Sequence, residues 1–300
     1  MSELVSVIIT TYKREPVMFL RALDSVLLQT YKNIEVIIVD DSPSDYFYRG
    51  EIAAIVDEKS AQGHNIQYFP HERNMGACAA RNTGMLLSKG LYIAFLDDDD
   101  EWLPEKIEKQ MNVIKNTGAS LVYCGFYYQN DDTNKKEKIK LKVRRGNIFK
   151  ELLYSNFIDS TSIPLIRLDR LKQIGGFDLL MESAQDYDVW LRIAKDNTID
   201  CVEEPLVIYH EHKGEQITRN PIKKINGLER INRKYSQYID NSMLWWRRHI
   251  IITPYYAMNG EKRKAFNTWC KCVRARPFNL LGNLRYLRII IRTKEKELNG

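Results

Sequence analysis

Two rhythms of apolar and polar positions alternate along the first half of the chain. Short β-branched runs, LVSVIIT (4–10), IEVIIVD (34–40), NIQYF (65–69) and LYIAFL (91–96), read as buried strands. Between them the spacing turns helical. Pro16 opens a helix carrying Val17, Leu20, Leu23, Val26 and Leu27 at helical intervals. Gly76 to Leu87 reads as a helix of small residues that Gly90 closes. Pro104 begins the amphipathic stretch PEKIEKQMNVIKN, stopped by Gly118, and ASLVYCGFYY (119–128) reads as a further strand. Strands alternating with helices predict an α/β fold around a largely parallel sheet.

The second half is less regular. Residues 129–142 are charged and poor in apolar positions, a mobile loop or a solvated hairpin. GNIFKELLYSN predicts a short helix, TSIPLIRLDRLKQIGGFD carries a Gly175-Gly176 turn, and AQDYDVWLRIAKD (184–196) predicts a helix burying Val189, Trp190, Ile193 and Ala194. Beyond Asn220 the chain has helical periodicity, clustered aromatics (Trp245, Trp246, Tyr255, Tyr256) and scattered bases. In NLRYLRIIIR (283–292) the spacing places Arg285, Arg288 and Arg292 on one face and Leu284, Leu287 and Ile291 on another. That pattern fits an interfacial helix and equally a helix packed on its own domain.

Charge sharpens this division. Of 45 Lys+Arg and 39 Asp+Glu, residues 219–300 hold 19 and 5, a net of +14, which leaves −8 for residues 1–218. An acidic front and a basic tail imply different partners for the two regions, the tail facing nucleic acid, an anionic membrane or an acidic subunit. The five cysteines form no disulfide framework, and reduced thiols fit the cytosol. The first residues, MSELVSVIITTYKRE, lack a signal-peptide pattern, and no run approaches the roughly 18 apolar residues of a spanning helix.

The candidate chemistry sits at strand ends, where α/β sheets bind ligands. Thr10-Thr11-Tyr12-Lys13-Arg14, Asp40-Asp41-Ser42 and Asp97 through Asp100 are three such clusters. If the strands are neighbours, an aromatic plate with carboxylate acceptors suits a nucleobase and ribose. A dense carboxylate site suits Mg²⁺ or Mn²⁺, which would hold phosphates in turn. Each cluster also has a plainer reading: Tyr12 packing over a turn, Asp40-Asp41 capping the next turn, Asp100 capping the helix at Pro104, and a solvated acidic run.

VSVIITTYKR, IIVDDSPSD, NMGACAARNTG, YIAFLDDDDEW, GGFD, AQDYDVWLR and YHEHKGEQIT occur in the order seen in family 2 glycosyltransferases of the GT-A fold. The chain resembles that family over roughly residues 3–218. The resemblance implies a GT-A domain at 1–218, a Rossmann-like, mixed and mostly parallel sheet flanked by helices. A mainly helical, basic and aromatic region at 219–300 follows it. The resemblance also makes Thr11 and Tyr12 a nucleoside platform, brings Arg14 toward the phosphates and gives Asp41 the base N–H. Asn74, Gly76 and Arg81 line the nucleotide side. The family's DxD element falls on Asp97-Asp98-Asp99, with Asp99 the direct ligand of Mn²⁺ or Mg²⁺ and Asp97 or Asp98 on the ribose or metal; Asp98-Asp99-Asp100 is the competing frame. His212 would touch the metal or diphosphate, in a segment that departs from the family at His210 and Glu215.

Asp186 takes the place of the family's catalytic base, although the preceding Glu is replaced by Gln185. The expected activity is inverting, metal-dependent transfer from a nucleotide-diphospho-sugar, a UDP-sugar, to a glycan or lipid-linked acceptor. The expected setting is cytoplasmic, at the inner face of the membrane. Two other readings compete. A sugar-1-phosphate nucleotidyltransferase would show a glycine-rich loop after the first strand, and TTYKREP has no glycine. A non-catalytic scaffold would use the basic tail and show salt-dependent nucleic-acid affinity.

Overall fold

The computed structural model describes residues 2–211 and 220–293. One mixed sheet organises the first part of the chain, in the order β3-β2-β1-β4-β8-β6-β9-β5 with β7 added to β6. β1 (Val5–Thr11), β2 (Ile34–Asp40), β3 (Ile66–Pro70) and β4 (Tyr92–Asp97) are parallel. These are the four apolar runs expected as strands, almost wholly buried except for β3. Adjoining them are β8 (Leu165–Arg167), β6 (Leu121–Asn130), β9 (Ile199–Glu211) and the two-residue β5 (Glu101–Trp102). β7 (Lys135–Lys138) makes the 129–142 segment a hairpin with β6. The chain moves outward from β1 to β3 and then returns to β4 on the other side of β1. That reversal is a topological switch point, where a crevice opens at the strand ends.

Helices connect the strands. α1 (Pro16–Leu27) starts at the expected proline but buries Phe19, Ala22, Leu23 and Val26, whereas Val17 is 70% exposed. The packed stripe therefore runs through 19, 22, 23 and 26: Leu23 and Val26 of the expected set lie on it, and Leu20 and Leu27 flank it half-buried. α2 (Arg49–Ala61), unforeseen in the sequence, buries only Ile52 and Val56 among its residues. α3 (Ala77–Leu87) crosses β1 and β2 so closely that a Cβ on Gly84 would overlap Ile8 Cγ2. α4 (Lys106–Thr117) ends on Gly118 at φ +68°. α5 (Phe149–Tyr154) and α6 (Leu168–Gln173) precede α7 (Gln185–Asp196), where Val189, Trp190, Ile193 and Ala194 are fully buried as expected.

The chain divides into two compact units. The first holds the sheet; the second holds residues 153–155, 179–188 and the C-terminal helices α8 (Pro221–Lys234), α9 (Ser242–Ile250), α10 (Thr253–Met258), α11 (Lys262–Ala275) and α12 (Leu280–Arg292). Within the second unit, Ile225, Ile252, Tyr256, Ala257, Ala265 and Ile290 form a core, and Trp246, Ile250 and Cys272 form another. Asn283 joins these layers by accepting Trp246 Nε1–H at Oδ1 (2.8 Å) and Trp269 Nε1–H at its carbonyl (2.9 Å). The expected split of α12 into an arginine face and a leucine face is not what packs. Asn283 and Ile290 turn inward, and Leu281, Leu284 and Ile291 share the exposed side with Arg285, Arg288 and Arg292. Indole partners for Asn283 explain why a polar residue wins the buried position. All five cysteines are free thiols. Among the described residues no helix is long and apolar enough to cross a membrane.

Candidate active site

The strand register brings the three polar clusters together. Thr11 lies opposite Asp40 on β2, and Thr10 lies opposite Asp97 on β4. Asp41, buried just past β2, accepts the backbone N–H of Met75 and of Gly76, both at 2.7 Å. Asn74 Oδ1 accepts the same Gly76 N–H at 2.9 Å. Gly76, at φ +88° before α3, adopts a backbone that few other residues could. Thr11 is buried and Tyr12 is exposed at the rim, its N–H donating to Asp98 at 3.4 Å.

Arginines account for the acidic run. Arg14 donates from Nε to Asp98 (2.8 Å) and from Nη2 to Asp99 (2.9 Å). Arg81 donates to Asp97 at 2.7 Å from a buried position, not from the helix surface. Arg21 donates to the carbonyl of Asp99 at 2.8 Å. Thr161 donates to Asp97, and Ser162 Oγ donates to Asp100 at 2.5 Å. Burial drives the Asp98 carboxyl up to about 7 against the pull of Arg14. Burial, then Asp99, holds Asp100 well above the usual carboxylate range. Burial disfavours the Arg14 charge, but Asp98 and Asp99 outweigh it and leave its pKa raised. Asp100 caps no helix: it is 1% exposed, and α4 starts at Lys106 without a side-chain cap.

Four partners of this site carry no motif signal. His71 shares a hydrogen bond with Asp41 (2.7 Å) and another with Thr83 (3.0 Å). Arg49 donates to the carbonyls of Ser42 and His71. Thr161 and Ser162 brace the carboxylates from the loop before β8. Only His71 was within reach of reasoning, because Pro70, beside it, pairs with Asp40. Asn82 fixes the expected glycine turn. It donates to the Phe177 carbonyl (2.9 Å) and accepts the Phe177 N–H (2.8 Å).

Thr11, Tyr12, Arg14, Asp41, Asn74, Gly76, Arg81, Asp97, Asp98 and Asp99 thus gather at one end of the sheet in the first unit. Asp186 is half-buried in the first turn of α7 and belongs to the second unit. His212 lies outside the described residues. Among those residues no three His, Cys, Asp or Glu side chains are arranged to hold a metal by themselves. The half-exposed Asp97 and Asp99 fit the other mode of binding Mg²⁺ or Mn²⁺, in which one or two carboxylates share the cation with ligand phosphates.

A mixed, mostly parallel α/β sheet with carboxylates and a glycine backbone at its switch point has the arrangement in which such folds bind ligands. The comparisons with known proteins make it specific. The family model "Glycosyl transferase family 2" matches residues 6–175. An uncharacterized glycosyltransferase of Methanocaldococcus jannaschii is 31% identical over 275 residues, covering 85% of this chain and 91% of its own. WcaA of Escherichia coli K12, a glycosyl transferase assigned by name to colanic acid biosynthesis, is 30% identical over 88% of this chain and 91% of its own. WfaP of Escherichia coli, named as a UDP-Glc:alpha-D-GlcNAc-diphosphoundecaprenol beta-1,3-glucosyltransferase, is 30% identical over 88% of this chain and 97% of its own. The chain belongs to glycosyltransferase family 2.

Staphylococcus aureus TarS shares the fold. The 1–349 form in complex with UDP-GlcNAc superposes with a TM-score of 0.62 at 16% identity, over 95% of this chain and 92% of that one. Against the longer TarS chain the TM-score is 0.64, and this chain spans 53% of its length. The sheet is therefore a GT-A fold, followed by a helical C-terminal region.

Proposed function

We propose that the protein transfers a sugar from a UDP-sugar to an acceptor hydroxyl, with inversion, during synthesis of a cell-surface polysaccharide or glycolipid. The observation that carries this reading is the meeting of Tyr12, Asp41 and the Asp97–Asp99 run at the β1–β4 switch point of a family 2 chain. The names of the relatives support the donor and the acceptor: one acts from UDP-Glc on a diphosphoundecaprenol-linked GlcNAc, and TarS has been crystallised with UDP-GlcNAc.

In this reading the Tyr12 ring lies against the base and Asp41 accepts its N–H. Arg14 leaves the carboxylates for the diphosphate when donor arrives. Asp97 and Asp99 would hold Mg²⁺ or Mn²⁺, which would supply electrostatic stabilisation of charge on the departing diphosphate. Asp186 takes the acceptor hydroxyl proton as that oxygen attacks the anomeric carbon. The bond from that carbon to the diphosphate oxygen breaks, UDP leaves, and one displacement inverts the configuration.

The second unit holds the enzyme at an anionic membrane, on the face where lipid-linked acceptors are presented. Residues 262–293 contain nine Lys+Arg and no Asp or Glu, and Phe278 (95%) and Leu281 (86%) are exposed among them. The test of function is turnover of UDP-glucose and other UDP-sugars with a GlcNAc-diphospho-lipid acceptor, reading the product's anomeric proton by NMR. The expected product has the anomeric configuration opposite to the donor's, is abolished by EDTA, and is lost in Asp186→Asn. Product of retained configuration, or turnover intact in EDTA, contradicts the mechanism.

A further inference from the structure

Beyond the carboxylate run, on the side away from β1 and β2, the sheet carries a cavity of about 290 Å³. Its walls are Phe126 and Tyr128 of β6, Val207 and Tyr209 of β9, Ile163 and Asp159. The register explains the first four. Phe126 pairs with Val207 and Tyr128 with Tyr209 in a parallel ladder, so alternate residues of both strands stand on one face. The two tyrosine rings are stacked, 5.9 Å apart and 13° from parallel. The pair forms one aromatic wall of the cavity.

The cavity abuts the reaction end of the sheet through one loop. Asp159 and Ile163 line it, while Thr161 and Ser162 between them bond Asp97 and Asp100. The Tyr209 phenol is held protonated by burial and then by the field of Asp100, Asp99 and Asp97. Asp159 sits at φ +70°, a left-handed position that aspartate tolerates better than most residues. Trp190 Nε1–H donates to its carbonyl at 3.2 Å, and its own N–H donates to Asn156 Oδ1 at 3.1 Å. Strained backbone held this firmly is a mark of functional positions.

A pyranose matches these walls. It offers a face of C–H groups to an aromatic ring and a rim of hydroxyls to acceptors such as Asp159 and Ser160. An acyl chain has no use for a carboxylate at its wall. Resting on the transferase reading, we infer that this cavity seats the pyranose ring of the acceptor, with Tyr128 and Tyr209 as its platform and Asp159 as its hydroxyl acceptor. The strand order supports acceptor over donor: the residues proposed to meet the nucleoside, Tyr12 and Asp41, follow β1 and β2, and the cavity lies at β6 and β9, across β4 and β8.

The test is saturation-transfer NMR on the full chain with a panel of methyl hexopyranosides and their 2-acetamido counterparts, with and without saturating UDP. Ring protons of at least one glycoside are expected to receive saturation that UDP does not displace. Tyr128→Leu and Asp159→Asn each reduce it by about threefold or more, while Tyr128→Phe retains it. Calorimetric UDP affinity, unchanged within about twofold in all three variants, shows that they fold and reports on the donor site separately. Saturation absent across the panel, displaced by UDP, or indifferent to both Tyr128→Leu and Asp159→Asn overturns the inference. Failure of UDP to bind the wild type overturns the donor reading instead.

Discussion

Lys234 Nζ lies 2.6 Å from the carboxylate of Asp188, which is fully buried two residues beyond Asp186 on α7. Between these acids, Tyr187 accepts Arg248 Nη1–H at 2.8 Å. Helices α8 and α9 thus grip the turn that bears the candidate base. Removing one partner of a buried pair costs far more than the pair contributes. Lys234→Met, which keeps the apolar stem, is expected to cost about 3 kcal/mol in urea unfolding. The double variant Lys234→Met/Asp188→Leu is expected to recover part of that loss. A single-variant cost below about 0.5 kcal/mol would show that the pair is incidental.

Gly176 is the tighter half of the glycine turn. At φ +71° it stands where a Cβ would overlap Asn82 Oδ1, the atom that accepts the Phe177 N–H. Gly176→Ala is expected to destabilise by about 2 kcal/mol or more, combining left-handed strain with a displaced hydrogen bond. Asn82→Ala, which leaves both Phe177 backbone groups unpaired, is expected to cost about as much. Thermal melts of the two single variants and the double check this: if the turn is one unit, the losses are not additive.

Lys106 lies in the core with its Nζ 3.8 Å from the Trp102 ring centre and bonded to Gln110 at 3.0 Å. Burial pushes its ammonium down to about 7. Between about 7 and the ordinary lysine value the unfolded chain binds the extra proton, so this residue makes stability rise with pH through that window and cancels nothing further below it. The effect is on the order of 4 kcal/mol across the window. Lys106→Met is expected to be more stable than wild type at pH 7 and to lose that advantage by pH 10. Parallel stability profiles for the two proteins would contradict the depressed value.

The exposed side of α12 mixes leucine, isoleucine and arginine, an arrangement suited to lying in a headgroup layer. Flotation with phosphatidylglycerol vesicles is expected to carry the protein, and phosphatidylcholine vesicles to leave it behind. Phe278→Glu/Leu281→Glu is expected to abolish flotation without changing the melting temperature, because both side chains are exposed. Equal flotation with both lipids, or none, removes the membrane role.

The strand ends were the legible part of this chain. β-branched runs bounded by polar clusters gave the parallel strands, and their adjacency followed once β1 lay between β2 and β4. What escaped the sequence was set by tertiary packing. α2 has two buried apolar residues and hence no stripe to read. The inward face of α12 is chosen by hydrogen bonds from Trp246 and Trp269 to Asn283, which outweigh the hydrophobic pattern. Thr161 and Ser162 meet Asp97 and Asp100 from more than sixty positions away, a pairing that only the fold creates. The acidic run was read as a site for a cation. Its carboxylates are held apart by Arg14, Arg81 and Ser162, a set of partners that local spacing does not announce.

The donor site is the claim on which the rest depends, and calorimetric titration of UDP and of GDP, each with Mn²⁺ and with EDTA, tests it most directly. UDP is expected to bind with Mn²⁺, EDTA to weaken that binding, and Asp99→Ala to weaken it by about tenfold or more. Binding of neither nucleotide under any condition, or UDP binding indifferent to both the metal and Asp99, would contradict it.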